Sequence, residues 1–128
     1  MRNRATAVVI KDGKVLLVRD KGHHHFSLPR GAIKKGEPTV GAAARELYEE
    51  LGLRAIKVVR LRKCDFKDAV SKHKVCLIQA SGKPHLRGHE LDKFTWWDMK
   101  KPLPLFAHVR AILSMLHKET WTSAVFFA

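Results

Sequence analysis

Apolar and polar positions change period several times along the 128 residues. Val, Ile, Thr and Ala dominate residues 4–10, Asp12-Gly13 is a turn dipeptide, and Val15-Leu16-Leu17-Val18 resumes the run before Arg19. This pattern predicts a β-hairpin. A short Phe26-Ser27-Leu28 stretch follows the His23-His24-His25 loop, and Pro29, Gly31 and Gly36 then interrupt the chain. From Pro38 the period lengthens: Val40, Ala43 or Ala44, Leu47 and Leu51 recur at helical spacing, and Gly52 ends the run. An amphipathic helix of about four turns is expected there. Residues 54–66 and 72–80 are β-rich with basic residues interspersed, and Phe94 to Trp97 reads as a further strand. Beyond Pro102 and Pro104, Leu105, Val109, Ile112, Leu113 and Leu116 make the stripe of a second helix. The apolar tail Trp121 to Ala128 is expected to pack on the core or on a partner chain. Strand, strand, helix, strands, helix is the order of an α+β fold, an α/β/α sandwich on a mixed sheet rather than a regular βαβ winding.

Length and composition narrow this. With 45% hydrophobic and 29% charged residues the chain has the make-up of a folded globular protein, and residues 1–128 are expected to form one domain. No apolar run approaches the roughly 20 residues that cross a bilayer, and Ala5 to Ile10 is shorter than a signal-peptide core. A cytoplasmic location away from membranes is the expectation, as a monomer or a homodimer. Cys64 and Cys76 cannot make a disulfide framework and are expected to be reduced and buried, on strands that bring them opposite each other if those strands pair as a hairpin.

Charge changes the picture more. The net charge is +13, yet residues 31–53 hold three basic and four acidic side chains, a balance of −1 that leaves +14 on the rest. An acidic site in a basic shell suits a protein that holds divalent cations and draws a polyphosphate or RNA towards them. On a helix wheel, Arg45, Glu46, Glu49 and Glu50 crowd the face opposite Leu47 and Leu51. Like charges at that spacing repel, so their retention points to a compensating hard cation, Mg²⁺ or Mn²⁺. Arg45 can clamp one carboxylate and fix its orientation.

Segment 31–53, GAIKKGEPTVGAAARELYEELGL, resembles the Nudix box G-x5-E-x7-R-E-U-x-E-E-x-G-U, with U aliphatic, at all nine defined positions. The resemblance implies a Nudix-type α/β/α sandwich in which the box forms a loop, a helix and a loop. It also implies hydrolysis of a nucleoside diphosphate linked to another moiety. By position, Glu46, Glu49 and Glu50 match the metal-binding glutamates, Arg45 the orienting arginine and Glu37 the loop-supporting glutamate, with Gly31 and Gly52 structural. Relatives recruit a further carboxylate from a later loop; Glu90, six residues before Trp96, is the candidate here and Asp92 the reserve. In such a mechanism, bound Mg²⁺ ions lower the pKa of a water that attacks phosphorus in line, while Glu46, Glu49 or Glu90 takes its proton.

Arg19 and Arg30 are candidate phosphate contacts, because guanidinium forks match phosphate oxygens. Phe26, Trp96 and Trp97 are candidates to stack a base, at least one Trp being expected in the core because neighbouring strand residues face opposite ways. His23 to His25 and the His85/His89 pair lack zinc-ligand spacing, and no P-loop or dinucleotide fingerprint occurs. Leu28-Pro29-Arg30-Gly31 resembles the entry of enzymes acting on dinucleoside polyphosphates, so diadenosine tetraphosphate is the leading substrate expectation. The tyrosine such enzymes place some 17 residues past the box is missing, Val70 and Ser71 standing there. A nucleoside triphosphate-sanitising pyrophosphatase, an RNA 5′-end pyrophosphohydrolase and a non-catalytic nucleotide or RNA sensor are the alternatives.

Overall fold

A computed structural model describes residues 1–118 of the chain. In chain order its elements are β1 (Arg2–Val8), β2 (Ile10–Lys11), β3 (Lys14–Asp20), β4 (Arg30–Ala32), α1 (Thr39–Leu51), β5 (Arg54–Arg60), a 3₁₀ turn (Arg62–Cys64), β6 (Phe66–Lys67), β7 (Ser71–Ser81), β8 (Leu91–Trp97) and α2 (Ala107–His117). A mixed five-stranded sheet runs β4-β1-β7-β5, with β6 also paired to β7, and a three-stranded sheet runs β2-β3-β8. Only the β1/β7 pair is parallel among these ladders.

The strands are apolar on successive positions because both faces are covered. Ala5 and Ala7, Leu16 and Val18, and Cys76 and Ile78 join Ala42, Ala43, Leu47 and Leu51 of α1 in one cluster. The alternate residues Val8, Val15, Leu17, Val75 and Leu77 join Val109, Ile112 and Leu116 of α2 in the other. This is the expected α/β/α sandwich.

Several local expectations are corrected. The hairpin is β2/β3, closed by Asp12 and Gly13 at φ 52° and 75°, as a primed turn requires, whereas β1 crosses into the larger sheet. Val40 points outward at 37% exposure, and Ala42 and Ala43 take its place under α1. Cys64 and Cys76 sit in the α2-side and α1-side clusters respectively, on opposite faces of the sheet, and no disulfide joins them. Leu105 precedes α2 and bridges to Phe26 instead of lying on the helix. The tail Trp121 to Ala128 lies outside the described residues. Among the described residues, no helix is long and apolar enough to cross a membrane.

Candidate active site

Helix α1 is held at both ends by groups that also shape the site. Its C-terminus stops at Gly52, whose φ of 71° is the left-handed conformation glycine adopts readily and whose N–H donates to the Tyr48 carbonyl at 2.9 Å. The following carbonyls are claimed by the 82–90 loop: His85 N–H donates to Leu51 O and Arg87 N–H to Glu50 O, both at 3.0 Å. The Arg87 guanidinium donates to Tyr48 O at 3.1 Å and, like Arg54, stacks on the Tyr48 ring. This loop ends at Glu90, whose carbonyl accepts from Lys21 N–H at 2.8 Å. A segment without regular secondary structure is thereby fixed beside the last turn of α1.

Arg45 organises the acidic face. Its guanidinium donates to both Glu37 oxygens (2.7 and 3.0 Å), to Glu46 (2.9 Å), to Glu49 (3.2 Å) and to the Ala32 carbonyl (3.0 Å). Glu37 in turn accepts from Lys34 N–H at 3.0 Å and so closes the loop before the helix. The Arg45 hydrogen bond, with that of Lys34, holds the Glu37 carboxyl down to about 2, and the Glu37 hydrogen bond likewise pushes Arg45 above its ordinary value. Glu46 lies directly over Gly31: a Cβ there would overlap its carboxyl group. Gly31 is therefore glycine because the carboxylate needs the space.

Glu46, Glu49, Glu50 and Glu90 line one cleft of about 1150 Å³. Burial pushes the Glu50 carboxyl up to about 7, reinforced by the negative charges of Glu46 and Glu90 and opposed by Arg30. Burial raises Glu46 as well, with Glu49 and Glu90 adding to the shift against the pull of Arg45. These carboxylates crowd without converging: among the described residues, no group of three His, Cys, Asp or Glu is preassembled around one point. Two part-buried carboxylates, Glu46 and Glu50, beside the exposed Glu49 and Glu90 and with Arg30 as a nearby counter-charge, fit a hard divalent cation that keeps several of its waters.

Across the cleft stands a basic wall of which sequence reasoning marked Arg30 alone. Arg2, Asn3 and Arg4 of β1, Lys21 and Arg30 line it. Arg4 and Arg30 lie on one sheet face because β1 pairs β4 with Thr6 opposite Arg30 and Arg4 opposite Ala32. Arg4 is held below its ordinary value by burial and by the neighbouring charges of Arg30 and Arg2. Arg30 forks onto Asp20 (2.9 and 3.3 Å). No local motif marks Arg2 and Arg4; the pairing of β1 with β4 and with β7, a strand some seventy residues on, brings them here.

Other expected contacts fall elsewhere. Arg19 does not line the cleft; it pairs with Asp92 at 3.0 Å and lies over the Phe26 ring. That bond also takes Asp92 out of reserve as a cleft carboxylate. Phe26 is 5% exposed and belongs to the α2-side core, pinned by backbone bonds to Pro104 and Phe106, so it has no face to offer a base. Trp97 is core too, its indole donating to Lys101 O at 2.7 Å. Trp96 lines a separate pocket of about 350 Å³ with Lys11, Leu53 and Gln79. His23 and His25 surround Phe106.

The NUDIX domain family model matches residues 1–116. The chain belongs to that family. Nudix hydrolases are pyrophosphohydrolases acting on nucleotide substrates, and they are typically dependent on divalent metal. Among solved structures, the MutT NUDIX hydrolase from Burkholderia pseudomallei is similar at TM-score 0.79 and 27% identity, over 90% of this chain and 97% of that one. A C. elegans Ap4A hydrolase shares the fold at TM-score 0.69 and 18% identity, over 94% and 98% of the two chains. By sequence, the RNA pyrophosphohydrolase of Bartonella quintana is 51% identical over 37 residues, 29% of this chain and 21% of that protein. The m7GpppN-mRNA hydrolase of Saccharomyces cerevisiae is 32% identical over 94 residues, 69% of this chain and 10% of that protein. This Nudix chain thus spans a third or less of these two curated relatives.

Proposed function

We propose that this Nudix chain hydrolyses a phosphoanhydride bond in a nucleoside 5′-polyphosphate, with the 5′-polyphosphorylated end of RNA as its substrate. The observation that carries the reading is the facing of four carboxylates and a wall of arginines across one cleft. The helix wall holds charge that needs a cation, and the strand wall holds charge that needs an anion. The named activities of the Bartonella and yeast relatives, an RNA pyrophosphohydrolase and an m7GpppN-mRNA hydrolase, support the choice of substrate.

Glu46, Glu49, Glu50 and Glu90 would hold the divalent cations. Mg²⁺ bound there supplies neutralisation of phosphate charge and a water of lowered pKa. The chain's own residues do the rest. Arg45 orients Glu46 and Glu49 through its fork of hydrogen bonds. Arg30, steadied by Asp20, and Arg2 and Arg4 receive phosphate oxygens and hold the chain of anhydrides along the cleft. A carboxylate of the acidic wall takes the proton of the water that attacks phosphorus in line, while the bond from that phosphorus to the bridging oxygen breaks and the oxygen leaves with the departing phosphate.

Dinucleoside polyphosphates remain a second reading, favoured by the Leu28-Pro29-Arg30-Gly31 entry now that Arg30 lies in the cleft. The experiment is side-by-side kinetics with Mg²⁺ on 5′-triphosphorylated RNA, diadenosine tetraphosphate, ADP-ribose and deoxynucleoside triphosphates, with products identified. The highest kcat/KM on the RNA end is expected. Preference for diadenosine tetraphosphate favours the second reading, and preference for ADP-ribose or deoxynucleoside triphosphates overturns both.

A further inference from the structure

Outside the cleft, one face of the larger sheet carries lysines in register that form no ion pair among the described residues. In β7, Lys72 lies opposite Asn3 of β1 on one side and opposite Lys67 of β6 on the other. Asn3, Lys72 and Lys67 therefore form one cross-strand row about 10 Å long, two strand spacings. In the next row on the same face Lys74 lies opposite Ala5, and Ala5 opposite Gly31, the residue beneath the Glu46 carboxyl. Ala5, Cys76 and Ile78 pack on the α1 side, so alternation puts these lysines on the face that carries the acidic helix. Lys67 and Lys72 are exposed and Lys74 half-buried.

Directly opposed like charges destabilise a sheet. The nearby acids form their ion pairs and hydrogen bonds elsewhere, Asp65 attracting Lys72 only through space. Asp65 is gripped by both Arg60 nitrogens (2.6 and 2.7 Å) and by Val75 N–H (2.9 Å). Asp68 accepts from Val70 and Ser71 N–H (2.9 and 2.8 Å) and faces His73. Among the described residues, no ion pair involves Lys67, Lys72 or Lys74. The row ends at Asn3, which lines the cleft beside Arg2, so the lysine surface abuts the cleft.

We propose that Lys67, Lys72 and Lys74 bind the backbone phosphates of a single-stranded RNA as it leaves the cleft past Asn3. The inference rests on the reading of the cleft as the site of a 5′-polyphosphate. A mononucleotide ends inside the cleft; only a polymer with a repeating negative charge reaches a row of lysines beside it. Contacts to phosphates give affinity without sequence preference.

The test uses fluorescence anisotropy on the full chain with 5′-hydroxyl RNA of two and of ten nucleotides in EDTA, so that it depends on neither hydrolysis nor the terminal phosphates. The ten-mer is expected to bind at least tenfold tighter than the dimer, whatever its sequence. The triple variant Lys67→Ala/Lys72→Ala/Lys74→Ala should lose that gain, and the steepness of log K against log salt should fall by about 2, at roughly 0.7 per phosphate. Replacing the same three by Arg should restore both, which separates lost charge from lost folding. An unchanged salt slope in the Ala variant overturns the proposal, as does equal binding of the two lengths. A ten-residue polyglutamate peptide that competes as well as RNA also overturns it, in favour of an acidic protein. If the ten-mer binds as expected but no nucleoside polyphosphate is hydrolysed, the reading of the cleft fails and the surface stands.

Discussion

Gly31→Ala separates the geometry of the acidic wall from its chemistry, because it adds one methyl group where the Glu46 carboxyl lies. Gly31 has no left-handed φ, so alanine fits its backbone and would by itself stabilise the chain by about 0.4–1 kcal/mol through the unfolded state. Against this, Glu46 must leave its position. Its 2.9 Å bond to Arg45, between side chains 17% and 22% exposed, is then lost at about 1–2 kcal/mol. A strained rotamer adds about 1 kcal/mol. The net cost is about 1–2 kcal/mol, a fall in Tm of roughly 3–8 °C for a domain of this size. Activity should suffer far more if Glu46 holds metal as proposed, since displacing such a carboxylate by about an ångström costs on the order of 100-fold. Circular dichroism melting alongside kcat/KM with Mg²⁺ titrated reads both. A variant with parental kcat/KM and Mg²⁺ dependence would refute the placement of Glu46 over Gly31 as a working part of the site.

Glu50→Gln should lower kcat by orders of magnitude yet raise the metal-free Tm at pH 8: the folded carboxyl is pushed up to about 7, so its ionisation costs stability as pH rises from about 4.5 through 7, and the amide does not ionise. Equal melting of the two proteins at pH 8 would count against the charge crowding. Glu90→Gln should weaken the Mg²⁺ dependence of turnover, and an unchanged Mg²⁺ titration would return Glu90 to the solvated loop. Below the cleft, His73 and His108 stack at 4.2 Å, and burial, opposed for His73 by Asp68, lowers them to about 4 and about 3. Their stabilisation is complete above about pH 6.5 and is lost as pH falls toward 4, because the unfolded chain takes up protons that the folded one refuses. Each adds a slope approaching 1.4 kcal/mol per pH unit. Urea melts of His108→Gln from pH 7 to 4 should show a shallower slope, and an identical one would contradict the buried neutral pair.

The box helix was legible because everything that defines it is local: the period, Gly52, and carboxylates three and four residues apart. The two-faced burial of β1, β3 and β7 was legible only as runs of Val, Leu and Ile, without their partners. Val9 separates β1 from β2 without a turn signal, so β1 reads as one arm of the hairpin when it belongs to the other sheet. Arg19 and Arg30 looked equivalent as isolated arginines; strand pairing sends Arg30 to the cleft with Asp20 and Arg19 to Asp92. Phe26 reads from sequence as a candidate to stack a base, whereas its backbone bonds to the segment before α2 and its ring is buried in the α2-side core. Arg2 and Arg4 carried no signal beyond net charge, since their place depends on a parallel ladder that no local pattern encodes. Glu90 could be guessed from the resemblance, but what seats its loop is a set of backbone bonds to the end of α1.

The most direct measurement of the central claim is turnover in ¹⁸O-labelled water of whichever nucleoside polyphosphate is the best substrate, with and without EDTA, followed by mass spectrometry of both products. The facing walls of carboxylate and arginine predict one ¹⁸O in a phosphate product and turnover that EDTA abolishes and Mg²⁺ or Mn²⁺ restores. Unlabelled phosphate products, or a rate indifferent to EDTA, would contradict it.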